Sequence, residues 1–232
     1  MTSSDRSRTR RGAGQGRPFR GGTILGAERN DPVAIVAYDP LWPSRFGVWR
    51  DRLARAIGVP ALRIEHIGST AVPGLAAKPV VDIQVSVPDV ADEDVYVAAI
   101  ESIGFGLRYR NEGLGWRYFR PPPGLPREAQ VHVCSVGSES ERLHLLFRDY
   151  LRAHRGEADA YAAAKREAAA RHPVDRIAYT DAKGAFIHPA LRRAEAWAAE
   201  TGWSVERSVS TPTGSSPALP RPRVRRRPRT GG

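Results

Sequence analysis

The alternation of apolar and polar positions divides the chain into a strand-rich first part and a helix-rich second part. VAIVAY at 33–38 predicts a short strand. Trp42, Phe46, Trp49, Leu53 and Ile57 recur at spacings of three and four, the mark of an amphipathic helix from Trp42 to Ile57. ALRIEHIG at 61–68 alternates with the period of a strand. A stretch punctuated by Gly and Pro, GSTAVPGLAAKP, then leads into VVDIQVSV at 80–87, which is rich in β-formers. Acidic residues at 92–94 suit the positive end of a helix dipole and predict a helix from there to about Ile103. GFGLRYR, WRYFR and EAQVHVCSV predict three further strands. A short turn around Asn111–Gly115 joins the first two, so they should pair antiparallel.

From Ser140 the period changes to that of helices. ERLHLLFRDYLRAH puts Leu143, Leu146, Phe147, Tyr150 and Leu151 on one face, and EADAYAAAKREAAAR is a strong helix former. A third helical stretch starts at Pro173, breaks or bends near Gly184 and Pro189, and continues through LRRAEAWAAE. The expected class is α/β: a mixed, largely antiparallel sheet flanked by helices, with a helical C-terminal layer.

Composition narrows this picture. The 232 residues suit one main domain with a sizeable core. No run of 18 apolar residues is present, which excludes a membrane-spanning helix. The first residues are basic and Gly-rich with no apolar stretch, so no ordinary secretory signal is expected and the default location is the cytoplasm. Cys134 is the single cysteine, which excludes an internal disulfide and a cysteine-based zinc site; it is expected as a small buried hydrophobe.

The formal charge of +11 is unevenly placed. Residues 1–21 carry +5 and residues 206–232 carry +6, while 22–205 is neutral. The two ends are therefore expected to be disordered basic tails, able to make weak, non-specific contact with nucleic acid, around a single domain at 22–205. A neutral body argues against a nucleic-acid face built into the fold. Oligomeric state is not legible in the chain.

The most informative stretch is EHIGSTAVPGLAAKPVVDIQV, residues 65–85. A strand ends at Gly68, where the missing side chain lets another group approach. Ser69 and Thr70 offer hydroxyl and main-chain N–H groups to an anion. Strand periodicity puts Asp82 and Gln84 on one face, with Val81, Ile83 and Val85 on the other. A carboxylate so placed needs a metal, a cation or solvent beside it, and Lys78 could be that cation or a phosphate contact.

This stretch resembles the nucleotidyltransferase signature, in which Gly-Ser is followed by a strand bearing Asp-x-Asp or Asp-x-Glu. More closely, the chain resembles the GrpB family, a bacterial branch of that superfamily. The resemblance covers about residues 33–190. Besides RIEHIGSTAVPGLAAKPVVDI it rests on YDPLWPSRF at 38–46, VHV at 131–133, HLLFRDYLRAH at 144–154 and YTDAKGAFI at 179–187. It implies a nucleotidyltransferase-like sheet, with Gly68 and Ser69 at the phosphates and Asp82 as first metal ligand. It also implies Mg2+ as cofactor and an NTP as substrate.

The second carboxylate of the signature falls on Gln84, a poor ligand for Mg2+. Glu65 could complete the set if its strand neighbours that of Asp82. So could His132, which suits Mn2+ or Zn2+ better than Mg2+. His66 is either a hydrogen-bonded buried histidine or a catalytic base. Arg117 and Tyr118, among the aromatics of WRYFR, form either a cross-strand platform or a base-and-phosphate pocket. Arg148 makes an ion pair or, with His144, lines the site. Lys183 is a solvated helix lysine or a phosphate contact. Three functional classes follow: transfer of a nucleoside monophosphate, non-catalytic binding of a nucleotide or coenzyme-like phosphorylated ligand, and a histidine- or metal-assisted reaction in the same pocket.

Overall fold

In the computed structural model the described residues are 22–25 and 32–209. Residues 1–21 and 210–232, on which most of the tail expectations fall, lie outside them. Six strands form one mixed sheet: β1 (Gly22–Ile24), β2 (Arg63–Ile67), β3 (Val81–Val87), β4 (Gly106–Asn111), β5 (Trp116–Arg120) and β6 (Ala129–Ser135). Their order is β1-β4-β5-β6-β3-β2. β3 and β6 run parallel and every other pair antiparallel.

Helices α1 (Trp42–Ile57) and α2 (Val97–Ser102) cover one face of the sheet. Here Trp42, Leu53 and Ile57 meet Val81, Ile83, Val85, Phe119, Val131 and Val133 in the main core. Each fully buried aliphatic side chain contributes about 1.5–3 kcal/mol relative to exposure. The α1 boundaries match the apolar stripe: a proline opens the helix and Gly58, at φ 71°, closes it.

Helices α3 (Glu139–Ala153), α4 (Arg155–Arg171), α5 (Arg176–Thr201) and the short α6 (Val205–Val209) form the second layer. Ser138 caps α3 by accepting from the Glu141 N–H, and Asp175 caps α5 by accepting from the N–H groups of Ile177 and Ala178. A second apolar cluster joins them: Leu146, Tyr150 and Leu151 from α3, Ala158, Tyr161 and Ala162 from α4, and Ala194 and Ala198 from α5. Alanines at the α4 and α5 contacts let the helices approach closely.

Four local expectations need correction. Residues 33–38 form a single bridge, Val36 to Ala77, instead of a strand, so this segment runs beside the sheet and not in it. The helix expected from 92 to 103 is split into a 3₁₀ turn at Glu93–Val95 and α2, because buried Tyr96 sits between them at φ −141°. α5 continues without a break through Gly184 and Pro189. Ordered structure also runs past residue 205, since Ser208 is buried and hydrogen-bonded to α3.

Candidate functional site

The strand registers decide which side chains share a face. Asp82 is opposite Gln130 on β6 and Ile67 on β2, and Gln84 is opposite His132 and Glu65. His132 is in turn opposite Tyr118 on β5. Asp82, Gln84, Gln130, His132 and Tyr118 therefore lie on the face toward α3–α6, away from the main core.

Gly68 ends β2 at φ 67° and ψ −169°. A Cβ there would lie 2.5 Å from Asp82 Oδ2, so only glycine lets the chain pass the carboxylate. The next three residues form the 3₁₀ turn Ser69–Ala71. Ser69 shares a hydrogen bond with the Tyr161 hydroxyl of α4. Thr70 turns away: its buried Oγ1 is 2.9 Å from His66 Nε2.

Asp82 keeps 23% of its side chain exposed. Its Oδ1 accepts from Gln130 Nε2 and lies 3.4 Å from His132 Nε2. Burial alone would raise its pKa, but the hydrogen bonds of His132 and Gln130 and the charges of His132 and Lys78 hold it at about 2. Gln130 continues outward, accepting from the Tyr118 hydroxyl at 2.6 Å and from Arg127.

Three lysines from separate elements feel the charge of this carboxylate. Lys78 precedes β3, Lys165 is on α4 and Lys183 is on α5. Lys165 Nζ lies 4.6 Å from the Tyr161 ring centre, and Lys183 Nζ 4.7 Å from that of Tyr179. Lys78 Nζ approaches the same Tyr179 ring at 5.1 Å. Lys165 is 2% exposed and donates to Ala76 O at 2.5 Å, fixing the loop after the 3₁₀ turn.

Burial is the main force on all three amines. It lowers Lys78 to about 7, helped by the charges of Lys183, Arg127 and Arg176. It lowers Lys165 to about 7, helped by Lys183 and Arg166, and it lowers Lys183 as well. Asp82 opposes the shift in each case. One carboxylate thus faces a concentration of positive charge that an anion would relieve.

Sequence reasoning placed Lys78 and Lys183 among the candidates but missed Lys165, Tyr161, Tyr179 and Gln130. A signal was present. YAAAK at 161–165 and YTDAK at 179–183 repeat one Tyr-x-x-x-Lys spacing, which puts both side chains on one helix face.

Other candidates are not brought to Asp82. Glu65 shares its face, but its Oε2 accepts from Arg148 Nη1 at 2.8 Å. Arg148 is buried and also binds Asp149, Ser208 and the His66 carbonyl, so it ties β2 to α3 and α6. His66 is on the opposite face, stacked on Phe46 with ring centres 4.8 Å apart. Burial and the charge of Arg152 lower its pKa to about 3. Arg117 is also on that opposite face, paired with Glu93 at 2.6 Å and Glu112 at 3.0 Å. His144 is brought in from α3: its Nδ1 is 2.8 Å from Gln84 Oε1, and burial lowers its pKa to about 3.

Among the described residues no three His, Cys, Asp or Glu side chains converge as metal ligands. Gln84 is fully buried, its oxygen is engaged by His144, and its Nε2 has no hydrogen-bond partner. Position 84 therefore offers a donor, not a ligand, to a cation. The residues present fit one divalent ion on Asp82, with His132 beside it and the remaining ligands supplied by phosphates. They do not fit a two-ion centre.

Comparisons with known proteins agree on one family. The model described as "GrpB protein" matches residues 32–193. A UPF0157 protein of Halalkalibacterium halodurans is 40% identical over 168 residues, covering 72% of this chain and 85% of that protein. The crystal structure of the conserved protein GrpB from Enterococcus faecalis superposes with a TM-score of 0.63 at 34% identity, covering 71% of this chain and 99% of that one. A protein of Mycolicibacterium paratuberculosis named dephospho-CoA kinase is 34% identical over 198 residues; the match covers 74% of this chain and 48% of that protein.

Proposed function

This chain belongs to the GrpB family, and from its site geometry we propose that it binds the phosphate end of a nucleoside triphosphate beside Asp82 and transfers the nucleoside monophosphate to an acceptor. The observation that supports this reading best is that Lys78, Lys165 and Lys183, from three elements, all feel the charge of Asp82, whose carboxylate lies against the Gly68–Ser69 turn.

In this reading the 3₁₀ turn and Ser69 hold one phosphoryl group through main-chain N–H and hydroxyl donors. The three amines neutralise the other phosphates and the charge that builds on the departing pyrophosphate. Gln130 and His132 orient Asp82 and keep it ionised. A divalent ion on Asp82, Mg2+ or Mn2+, would supply charge neutralisation and an acidified acceptor hydroxyl. Tyr161 and Tyr179 brace the lysines through their rings.

A second reading, a nucleotide- or coenzyme-binding module without transfer, is favoured by Gln84 at the second carboxylate position. It also fits the likeness to about half of a protein named dephospho-CoA kinase. The two readings part in one assay: pyrophosphate release from each NTP with Mg2+ or Mn2+ and a panel of hydroxyl acceptors. Transfer predicts release that Asp82→Asn abolishes. Saturable NTP binding without release supports the module, and release that persists in Asp82→Asn contradicts the transferase mechanism.

A further inference from the structure

Beyond the proposed phosphate site, the same sheet face carries a row of rings of which the reading above uses only His132. From Asp82 the row passes to His132, whose ring centre is 5.2 Å from Tyr118 and 5.9 Å from Trp116. Trp116 and Tyr118 are 6.5 Å apart, edge to face. Behind them buried Tyr109 lies 5.0 Å from Trp116, so the indole rests on a firm backing. Trp116, Tyr118 and His132 are each only half-buried. Arg127 stands over the Tyr118 ring at 5.9 Å.

The row is joined to the carboxylate by hydrogen bonds. Tyr118 donates to Gln130, and Gln130 donates to Asp82. Strand spacing places Tyr118 two strands from Asp82, about 10 Å between backbones. Gln130 and His132 lie between the two, so a sugar would have to pass over them on the way from a phosphate at Asp82 to a base at Tyr118.

We infer that Trp116 and Tyr118, with His132, form the nucleobase subsite of the nucleotide whose phosphates sit at Asp82. The inference rests on the nucleotide reading above. The subsite stacks a planar heteroaromatic ring and favours the larger purine surface. It reads little of the base's edge, because the polar atoms of a stacked ring lie in a plane parallel to the base and do not reach its edge. Of the two alternatives left open for WRYFR, this keeps Tyr118 in a base pocket and drops Arg117, which is on the other face and held by two glutamates.

The test is calorimetry on the full chain with Mg2+, using ATP and inorganic tripolyphosphate as probes. Stacking on an aromatic side chain predicts that ATP binds at least about tenfold more tightly than tripolyphosphate. Trp116→Leu should erase most of that advantage and leave tripolyphosphate affinity unchanged, which also shows that the variant is folded. Trp116→Phe should keep most of the advantage. Equal affinity of the two probes in the unaltered chain would overturn the base subsite and leave the phosphate cleft standing. An ATP advantage that survives Trp116→Leu and Tyr118→Leu would place the base elsewhere and overturn it too. Binding of neither probe would overturn the phosphate reading, and the subsite with it.

Discussion

Glu65 gives its carboxylate to Arg148, 2.8 Å away, and not to the site that Asp82 occupies two residues along the sheet. Arg148 is 3% exposed and its other donors reach Asp149, Ser208 and the His66 carbonyl. The pair is a structural tie between β2, α3 and α6, and it leaves Asp82 as the carboxylate of the cleft.

This tie predicts different outcomes for two carboxamide substitutions. Glu65→Gln should leave the Mg2+ dependence of nucleotide binding unchanged, whereas Asp82→Asn should remove it. Arg148→Ala should lower unfolding stability by roughly 3 kcal/mol, because Glu65 would lose its cation in a part-buried place while Asp149 keeps Arg152. Urea denaturation of each variant, with binding measured on the folded fraction, checks both statements.

The lysines predict a pH dependence with a definite sign. Lys78 and Lys165, held near 7 against an ordinary 10.5, lose their charge as pH rises above 7 in the ligand-free chain. Binding a polyphosphate requires them charged. Affinity should therefore weaken by about one to two orders of magnitude for each lysine from pH 7 to pH 9, with proton uptake on binding. The ligand-free chain should behave oppositely. Its unfolded state holds more protons between about 7 and 10.5, so these lysines make stability rise with pH over that window. Calorimetry in buffers of different ionisation heat and thermal unfolding across the range read the two trends.

Lys165→Met separates function from stability. The unaltered amine is buried and donates to the Ala76 carbonyl, at a desolvation cost that methionine does not incur. The variant should unfold within about 1 kcal/mol of the unaltered chain. Its tripolyphosphate affinity should fall by at least about tenfold, the size of one lost charged hydrogen bond. Unchanged affinity would remove Lys165 from the cleft.

Gly68→Ala tests the close approach of β2 to Asp82. Alanine at φ 67° is strained, and its Cβ would meet Asp82 Oδ2 at 2.5 Å. About 1–3 kcal/mol of backbone strain is expected, together with displacement of the carboxylate. The measurable signature is loss of Mg2+-dependent binding beyond what the change in folded fraction explains.

Much of the fold was legible because short-range periodicity reports it. The stripe from Trp42 to Ile57 set both ends of α1, and the phase of VVDIQVSV put Asp82 and Gln84 opposite Val81, Ile83 and Val85. The same phase rule separates Glu65 from its neighbour His66, and the structure places them on opposite faces. What periodicity cannot report is which distant side chain meets a given face. Lys165, 83 positions after Asp82, comes under the influence of its charge only because α4 packs its alanine face inward. Arg117 reads from the sequence as part of either a cross-strand platform or a base-and-phosphate pocket, and strand alternation turns it to the other face, where Glu93 and Glu112 take its charge. The strand expected at 33–38 failed for a related reason: its β-formers bury against the second layer without a continuous partner edge.

The central claim is that Asp82 and the lysines around it form one site for metal-linked phosphates. Its most direct test is calorimetric titration of the full chain with ATP, with and without Mg2+, beside Asp82→Asn and a Lys78→Met/Lys183→Met variant. The account predicts saturable binding that Mg2+ strengthens at least about tenfold in the unaltered chain. It predicts no Mg2+ effect in Asp82→Asn, and binding lost in the double variant while the fold persists. Absence of saturable ATP binding, or affinity indifferent to all three side chains, would contradict it.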